Sequence, residues 1–220
     1  MQIVIADVLS DEDLDAVREA LARTRFVDGR ATAGFAAREV KHNRQADATD
    51  KVLDPVRSMV AARIMANDLF RIAARPKQLT PLLFSRTEAG MQYGEHVDDA
   101  LMGGMRTDVA FTLFLDDPES YDGGELVIVS AAGDDAIKLP AGSMVVYPAT
   151  TLHRVAEVTR GVRHVIAGWA RSLVRDAAQR ELLFDLDTAR RTIFMRDGKS
   201  HEFDLISKSL ANLLRMWAED

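Results

Sequence analysis

The sequence predicts a mainly β, α+β protein: an antiparallel sandwich or small barrel with helices before and after it. Between residues 79 and 173, seven short runs rich in apolar and β-branched residues (LTPLLFSR, VAFTLFLD, GELVIVS, AIKLP, SMVVYP, HRVAEV, RHVIAGWAR) are separated by GG, DD, PAG and RG turn signals. Outside that window the apolar residues recur at helical spacing instead.

Taken in order, Gln2 to Ala6 alternate into a short strand. Ser10, followed by Asp11, Glu12 and Asp13, caps and opens a helix running to about Thr24, with Leu14, Val17 and Leu21 on its buried face. The stretch DGRATAGFAAREVKHNRQADATD, residues 28–50, has no clear period and reads as a long loop. A second helix, about Lys51 to Asn67, carries Leu53, Val56, Val60 and Ile64. Beyond Leu173, RDAAQRELLFDLDTARRTIF and HEFDLISKSLANLLRMW are helical, and Leu210, Leu213, Leu214 and Trp217 form a core stripe or an oligomer contact. The chain thus divides into an N-terminal helical and loop part (1–78) packed on the barrel, a β core (79–173) and a C-terminal helical extension (174–220), without internal repeats.

At 220 residues and 47% hydrophobic, the chain is long enough for an ordinary core. Without cysteine it has no disulfide, thiolate metal site or catalytic thiol, which agrees with a reducing compartment, and any metal must bind through His, Asp or Glu. A net charge of −6 lacks the basic excess that nucleic acid or an anionic membrane requires. MQIVIADVLSDEDLD turns acidic too early for a signal peptide, and no segment approaches the ~20 apolar residues of a membrane span, so the expected location is the cytoplasm.

Chemistry concentrates in YGEHVDD. On an extended strand His96 and Asp98 share one face, yet chance supplies this spacing readily, and alone the pair reads more readily as a polar strand face than as a metal site. His153, opening HRVAEV after the turn PATTL, is the candidate third ligand; two imidazoles and one carboxylate make the facial triad of non-haem Fe(II) oxygenases. Arg163 follows ten residues later, past the turn TRG. A buried guanidinium beside a metal needs an anion, and the distal carboxylate of a chelating dicarboxylic acid would provide one.

RTDVAFTLFLD, YDGGELVI, LPAGSMVVYPATTLHRVAEVTRGVR and SLVRDAAQRELLFDLD, with the earlier DGRATAG, resemble the bacterial PKHD-type (prolyl/lysyl hydroxylase domain) family of Fe(II)- and 2-oxoglutarate-dependent dioxygenases over nearly the whole chain. The resemblance implies a double-stranded β-helix (jelly-roll) fold, His96, Asp98 and His153 as iron ligands, and Arg163 as the 2-oxoglutarate anchor. It also implies O2 as oxidant, L-ascorbate as reductant, and hydroxylation of a C–H with release of succinate and CO2. One departure is Thr87, where relatives often carry a tyrosine that helps hold the co-substrate; Tyr93 is the candidate replacement.

The remaining polar residues have plainer readings. His42 and His201 are surface or capping residues, and His164 points away from Arg163 on the same strand. YDGGEL is a tight connection needing positive φ, and Arg106 either reaches the site or, the preferred reading, pairs with a carboxylate at the surface. KHNRQ, residues 41–45, lines a substrate entrance or is simply a solvated loop. The expected substrate is amino-acid-like, peptidyl or another small metabolite, and self-association stays open. Two other classes compete: a cupin-like metal protein without oxygenase turnover, which would not require Arg163 near the metal, and a non-catalytic binding domain, which would tolerate loss of His96 and Asp98.

Overall fold

The computed structural model describes residues 1–219. The chain opens with β1 (Ile3–Ile5) and α1 (Asp11–Arg23). Ser10 caps α1 reciprocally: its hydroxyl accepts from the Asp13 amide at 3.2 Å while the Asp13 carboxylate accepts from the Ser10 amide at 3.2 Å. Next come β2 (Phe26–Asp28), β3 (Lys41–His42) and β4 (Arg44–Ala46), then α2 (Asp54–Ala66) and α3 (Asp68–Ala74). The segment expected to be a loop therefore contains strands. Its inward face is polar, so no hydrophobic alternation announces it; pairing with a neighbouring strand, not an apolar face of its own, holds it extended.

The second helix also differs from expectation. Lys51–Leu53 form a 3₁₀ turn, so the helix starts later; it ends at Asn67 as expected, but a further helix, α3, follows at once, capped by Asn67, which accepts from the Phe70 amide at 3.0 Å.

The β core runs through β5 (Pro76–Leu79), β6 (Leu83–Glu88), β7 (Gln92–His96), the hairpin β8 (Leu101–Met102) and β9 (Met105–Arg106), β10 (Val109–Phe114), β11 (Asp122–Gly123), β12 (Leu126–Ser130), β13 (Gly133–Ile137), β14 (Met144–Pro148), β15 (His153–Val155), β16 (Val158–Arg160) and β17 (Val162–Ser172). It closes with α4 (Ala177–Asp197) and α5 (His201–Trp217). One sheet has the order β1-β14-β10-β17-β6-β4-β2, with β5 pairing β17; the facing sheet has the order β13-β12-β15-β7-β3. All pairings are antiparallel.

The larger sheet is covered on both faces, which is why β10 is apolar at nearly every position. Phe111, Leu113, Val146 and Ile166 pack outward against Val17, Val60, Ile64 and Phe70 of the helices. Ala110, Phe114, Val145, Val165 and Trp169 point inward and meet Leu126, Ile128 and Ile137 of the smaller sheet. A third cluster joins Val174, Leu183 and Leu210, with Leu213, Leu214 and Trp217 against it, so the C-terminal stripe is core. Among the described residues no helix is long and apolar enough to cross a membrane.

Candidate metal centre and cavity

The inward faces of the two sheets enclose a cavity, and the ligand candidates converge on it because of one irregularity. His153 in β15 lies opposite His96 in β7, but Val155 lies opposite Tyr93, so a step of two residues on one strand matches a step of three on the other. This β-bulge puts Tyr93 and His96, three apart in sequence, on the same face, where their rings stack at 3.6 Å. Gly94 sits in the bulge. A Cβ there would fall 2.7 Å from that of Val40, so glycine lets the chain before β3 approach, and its amide donates to Val40 O at 2.9 Å.

His96 ends its strand, and Asp98 lies just beyond it rather than on a continued strand as its spacing predicts. Its carboxylate still reaches the imidazoles: His153 Nε2 is 3.8 Å from Asp98 Oδ1. One ligand atom from each of His96, Asp98 and His153 lies within 4.8 Å of the others, and no other such trio occurs among the described residues. His96 Nδ1 donates to Gly94 O at 2.8 Å and His153 Nδ1 to Thr151 O at 2.9 Å. A carbonyl only accepts, so each Nδ1 carries the proton and each Nε2 lone pair is free. Burial, reinforced by the neighbouring His153, lowers the His96 pKa to about 4 and keeps that ring neutral. Burial pushes the Asp98 carboxyl up, against the pull of His153, and its Oδ2 is buried without a partner. Two neutral imidazoles and a carboxylate with a spare oxygen fit a divalent cation.

Arg163, only 2% exposed, extends into the same cavity from β17. Its Nε and Nη2 are buried without hydrogen-bond partners, and its guanidinium lies 5.4 Å from the Phe114 ring. Burial works against its charge, with Tyr121 the largest influence favouring it. A desolvated guanidinium with two idle nitrogens suits a carboxylate. Thr87 is its partner in the register of β6 and also lines the cavity.

The glycine pair of YDGGEL has positive φ at both positions, +72° and +69°. It also touches the site, which the sequence reading did not foresee. A Cβ on Gly124 would sit 2.9 Å from Arg163 Cδ, so that glycine makes room for the arginine stem.

The alternative left open for KHNRQ resolves by parity. Lys41, Asn43 and Gln45 are buried and line the cavity, while His42 and Arg44 are exposed. Burial lowers the Lys41 pKa to about 8 despite the opposing charges of Asp98 and Asp28. His164 turns out of the cavity, its Nδ1 2.9 Å from Asp116 Oδ2, and His201 is exposed next to the cap of α5. Arg106 donates to Asp108 and Glu219 at 2.7 Å each and plays no part here. Tyr147 and Thr112 were missed. Tyr147 meets His153 edge-on at 5.3 Å, and Thr112, a polar residue on the inward face of an apolar strand, was the available signal.

A family model described as the 2OG-Fe(II) oxygenase superfamily matches residues 82–171, and one described as the PKHD-type hydroxylase C-terminal domain matches residues 177–219. The chain is 52% identical over 219 residues to a PKHD-type hydroxylase of Acaryochloris marina, covering 100% of both chains. Among solved structures it resembles a Pseudomonas putida prolyl-4-hydroxylase (TM-score 0.54, 20% identity, 78% of this chain and 92% of that one). It also resembles HygX of Streptomyces hygroscopicus, solved with nickel and 2-oxoglutarate bound (TM-score 0.57, 16% identity, 79% and 84%). At these identities the structural likeness is one of fold, and that fold is the double-stranded β-helix.

Proposed function

The chain belongs to the PKHD-type hydroxylase family, a group of 2OG-Fe(II) oxygenases, and from that premise we propose that it hydroxylates a C–H of an amino-acid-like, peptidyl or small-metabolite substrate while converting 2-oxoglutarate to succinate and CO2. In this reading His96, Asp98 and His153 hold Fe(II) and Arg163 holds the distal carboxylate of 2-oxoglutarate. Ascorbate is the reductant that keeps the iron ferrous.

The observation that carries the reading is the pairing, in one cavity, of a three-ligand cluster with a buried guanidinium whose Nε and Nη2 have no partner. A metal protein without a co-substrate has no use for the second feature. Bound iron and 2-oxoglutarate would together supply O2 reduction and oxygen insertion, chemistry that no side chain provides.

The side chains position and exclude. The carbonyls of Gly94 and Thr151 fix both imidazole tautomers, so the free lone pairs face the cavity before any ion arrives. Tyr93, stacked on His96, limits rotation of that ring, and Thr87, opposite Arg163 in the strand register, lines the same cavity. Leu83, Leu126, Val155, Val165 and Trp169 keep water from the region where a reactive species would otherwise be quenched.

Succinate release tests the proposal. Fe(II)-loaded enzyme supplied with 2-oxoglutarate and O2 is screened against free amino acids, peptides and small metabolites. The expected result is that one class stimulates succinate formation with equimolar hydroxylated product. Succinate formed without any hydroxylated product across the screen would contradict it.

A further inference from the structure

Lys41 is 5% exposed, and among the described residues no carboxylate oxygen lies within 4.0 Å of its ammonium. It is nonetheless held in place. Lys41 Nζ donates to Thr32 Oγ1 at 3.0 Å, and Thr32 Oγ1 donates onward to Gln45 Oε1 at 2.6 Å. An ammonium only donates, so the direction of this relay is fixed and two of its N–H bonds remain unused. In β3, Lys41 lies opposite Tyr93, whose ring centroid is 5.0 Å from Nζ. A buried cation without a counter-ion is costly, and such groups persist where something else neutralises them.

The reading of the site as a 2-oxoglutarate oxygenase, on which this inference rests, leaves Lys41 unmatched. The two carboxylates of 2-oxoglutarate and that of Asp98 offset the charges of Fe(II) and Arg163, and one positive charge remains. Its position says what could meet it. Lys41 lines both the inner cavity that holds Arg163 and an adjoining outer cavity walled by Thr32, Ala33, Gly34, Val97 and Met102. Tyr93, His96 and Asp98 are shared by the two, so an occupant of the outer cavity borders two of the three ligand candidates, His96 and Asp98, without reaching Arg163. Asp99 also faces the outer cavity but does not pair with Lys41, leaving the ammonium for an incoming group.

We propose that Lys41 selects the primary substrate by a free carboxylate, bound in the outer cavity beside the metal. The substrate is then a carboxylic acid, either a free amino acid or the C-terminal residue of a peptide, and not an internal residue of a polypeptide.

The test uses Fe(II)-loaded full-length enzyme, wild type and the variants Lys41→Met and Lys41→Arg. The probes are the L-amino acids, their primary amides, and C-terminal dipeptides in acid and amide form. Under anaerobic conditions the visible band formed with 2-oxoglutarate reports co-substrate binding; in air, succinate release reports the response to each probe. The expected result is that an acid, and not its amide, stimulates succinate release by wild type. Lys41→Met should raise the half-saturating concentration of that acid at least tenfold, with no tenfold change in the 2-oxoglutarate concentration needed for the band, and Lys41→Arg should recover most of the preference for acid over amide.

Because removing a buried unpaired cation relieves a penalty, Lys41→Met should melt no lower than wild type when ligand-free. A lower melting point would mark a structural role and overturn the proposal. So would a tenfold rise in the 2-oxoglutarate requirement, which would place Lys41 on the co-substrate, or stimulation by amides equal to that by acids, or by no acid at all. Free amino acids and dipeptide acids separate the two sources of carboxylate. Absence of the band in wild type would instead condemn the oxygenase reading itself.

Discussion

A guanidinium as buried as that of Arg163 destabilises a protein until an anion reaches it, so its effect should appear in co-substrate affinity and not in metal affinity. Arg163→Ala is expected to raise the half-saturating 2-oxoglutarate concentration by roughly 10²-fold, the usual cost of losing a charge-assisted buried pair. Iron binding, followed by metal content after gel filtration, should survive. His96 makes a second prediction. Its folded pKa of about 4 lies below the unfolded value near 6.5, so the unfolded chain binds protons first as pH falls. The stability this contributes is present above about pH 6.5 and is lost as pH drops through about 4. Urea denaturation of metal-free protein at pH 7.5 and 5 should show the loss, and His96→Gln should flatten it. His153 and Arg163 were legible in the sequence because each stands inside a run with clear strand and turn signals. Lys41 was not, since its inward direction appears only when β3 pairs with β7. Tyr93 was named only through the family resemblance, because parity alone puts it on the face opposite His96 and the bulge is what brings the two together.

At the scale of elements, the turn between β11 and β12 does more than reverse the chain. Gly124 combines a φ of +69° with a Cβ direction blocked by the stem of Arg163. Gly124→Ala should therefore cost about 1–3 kcal/mol of stability from backbone strain alone, measured by chemical denaturation. It should also weaken 2-oxoglutarate binding, through displacement of Arg163. Removing the cap of α1 by Ser10→Ala should cost only about 1 kcal/mol and leave co-substrate affinity as it was. Elements with an apolar face were legible: α1 starts at its expected cap, β10 and β14 fall within the predicted runs, and β17 overruns its run by one residue at each end. The elements that escaped had no such face. β3 and β4 face a polar cavity, and α3, which starts where the expected helix ends, is only 7 residues long and is set apart from α2 by a single side chain, Asn67.

The whole molecule combines a covered sheet, packed on helices, with a facing sheet that carries the ligand candidates. Polar groups kept unpaired inside a barrel make the ligand-free protein less stable than its core would allow. Saturation with Fe(II) and 2-oxoglutarate, each at about 100 times its dissociation constant, should add ~2.7 kcal/mol per ligand, about 5 kcal/mol together, which for a chain of this size corresponds to a melting-point rise of roughly 10–20 °C. The rise should disappear in Asp98→Ala. In the proposed reading one cavity holds Fe(II) on His96, Asp98 and His153 with 2-oxoglutarate anchored by Arg163. Anaerobic titration of 2-oxoglutarate into Fe(II)-loaded protein, followed by visible absorption, tests it most directly. Wild type should give a weak charge-transfer band that saturates near one equivalent, Asp98→Ala should give none, and Arg163→Ala should need far more 2-oxoglutarate. A folded, iron-loaded wild-type protein that gives no band, or an Arg163→Ala variant that titrates like wild type, would contradict it.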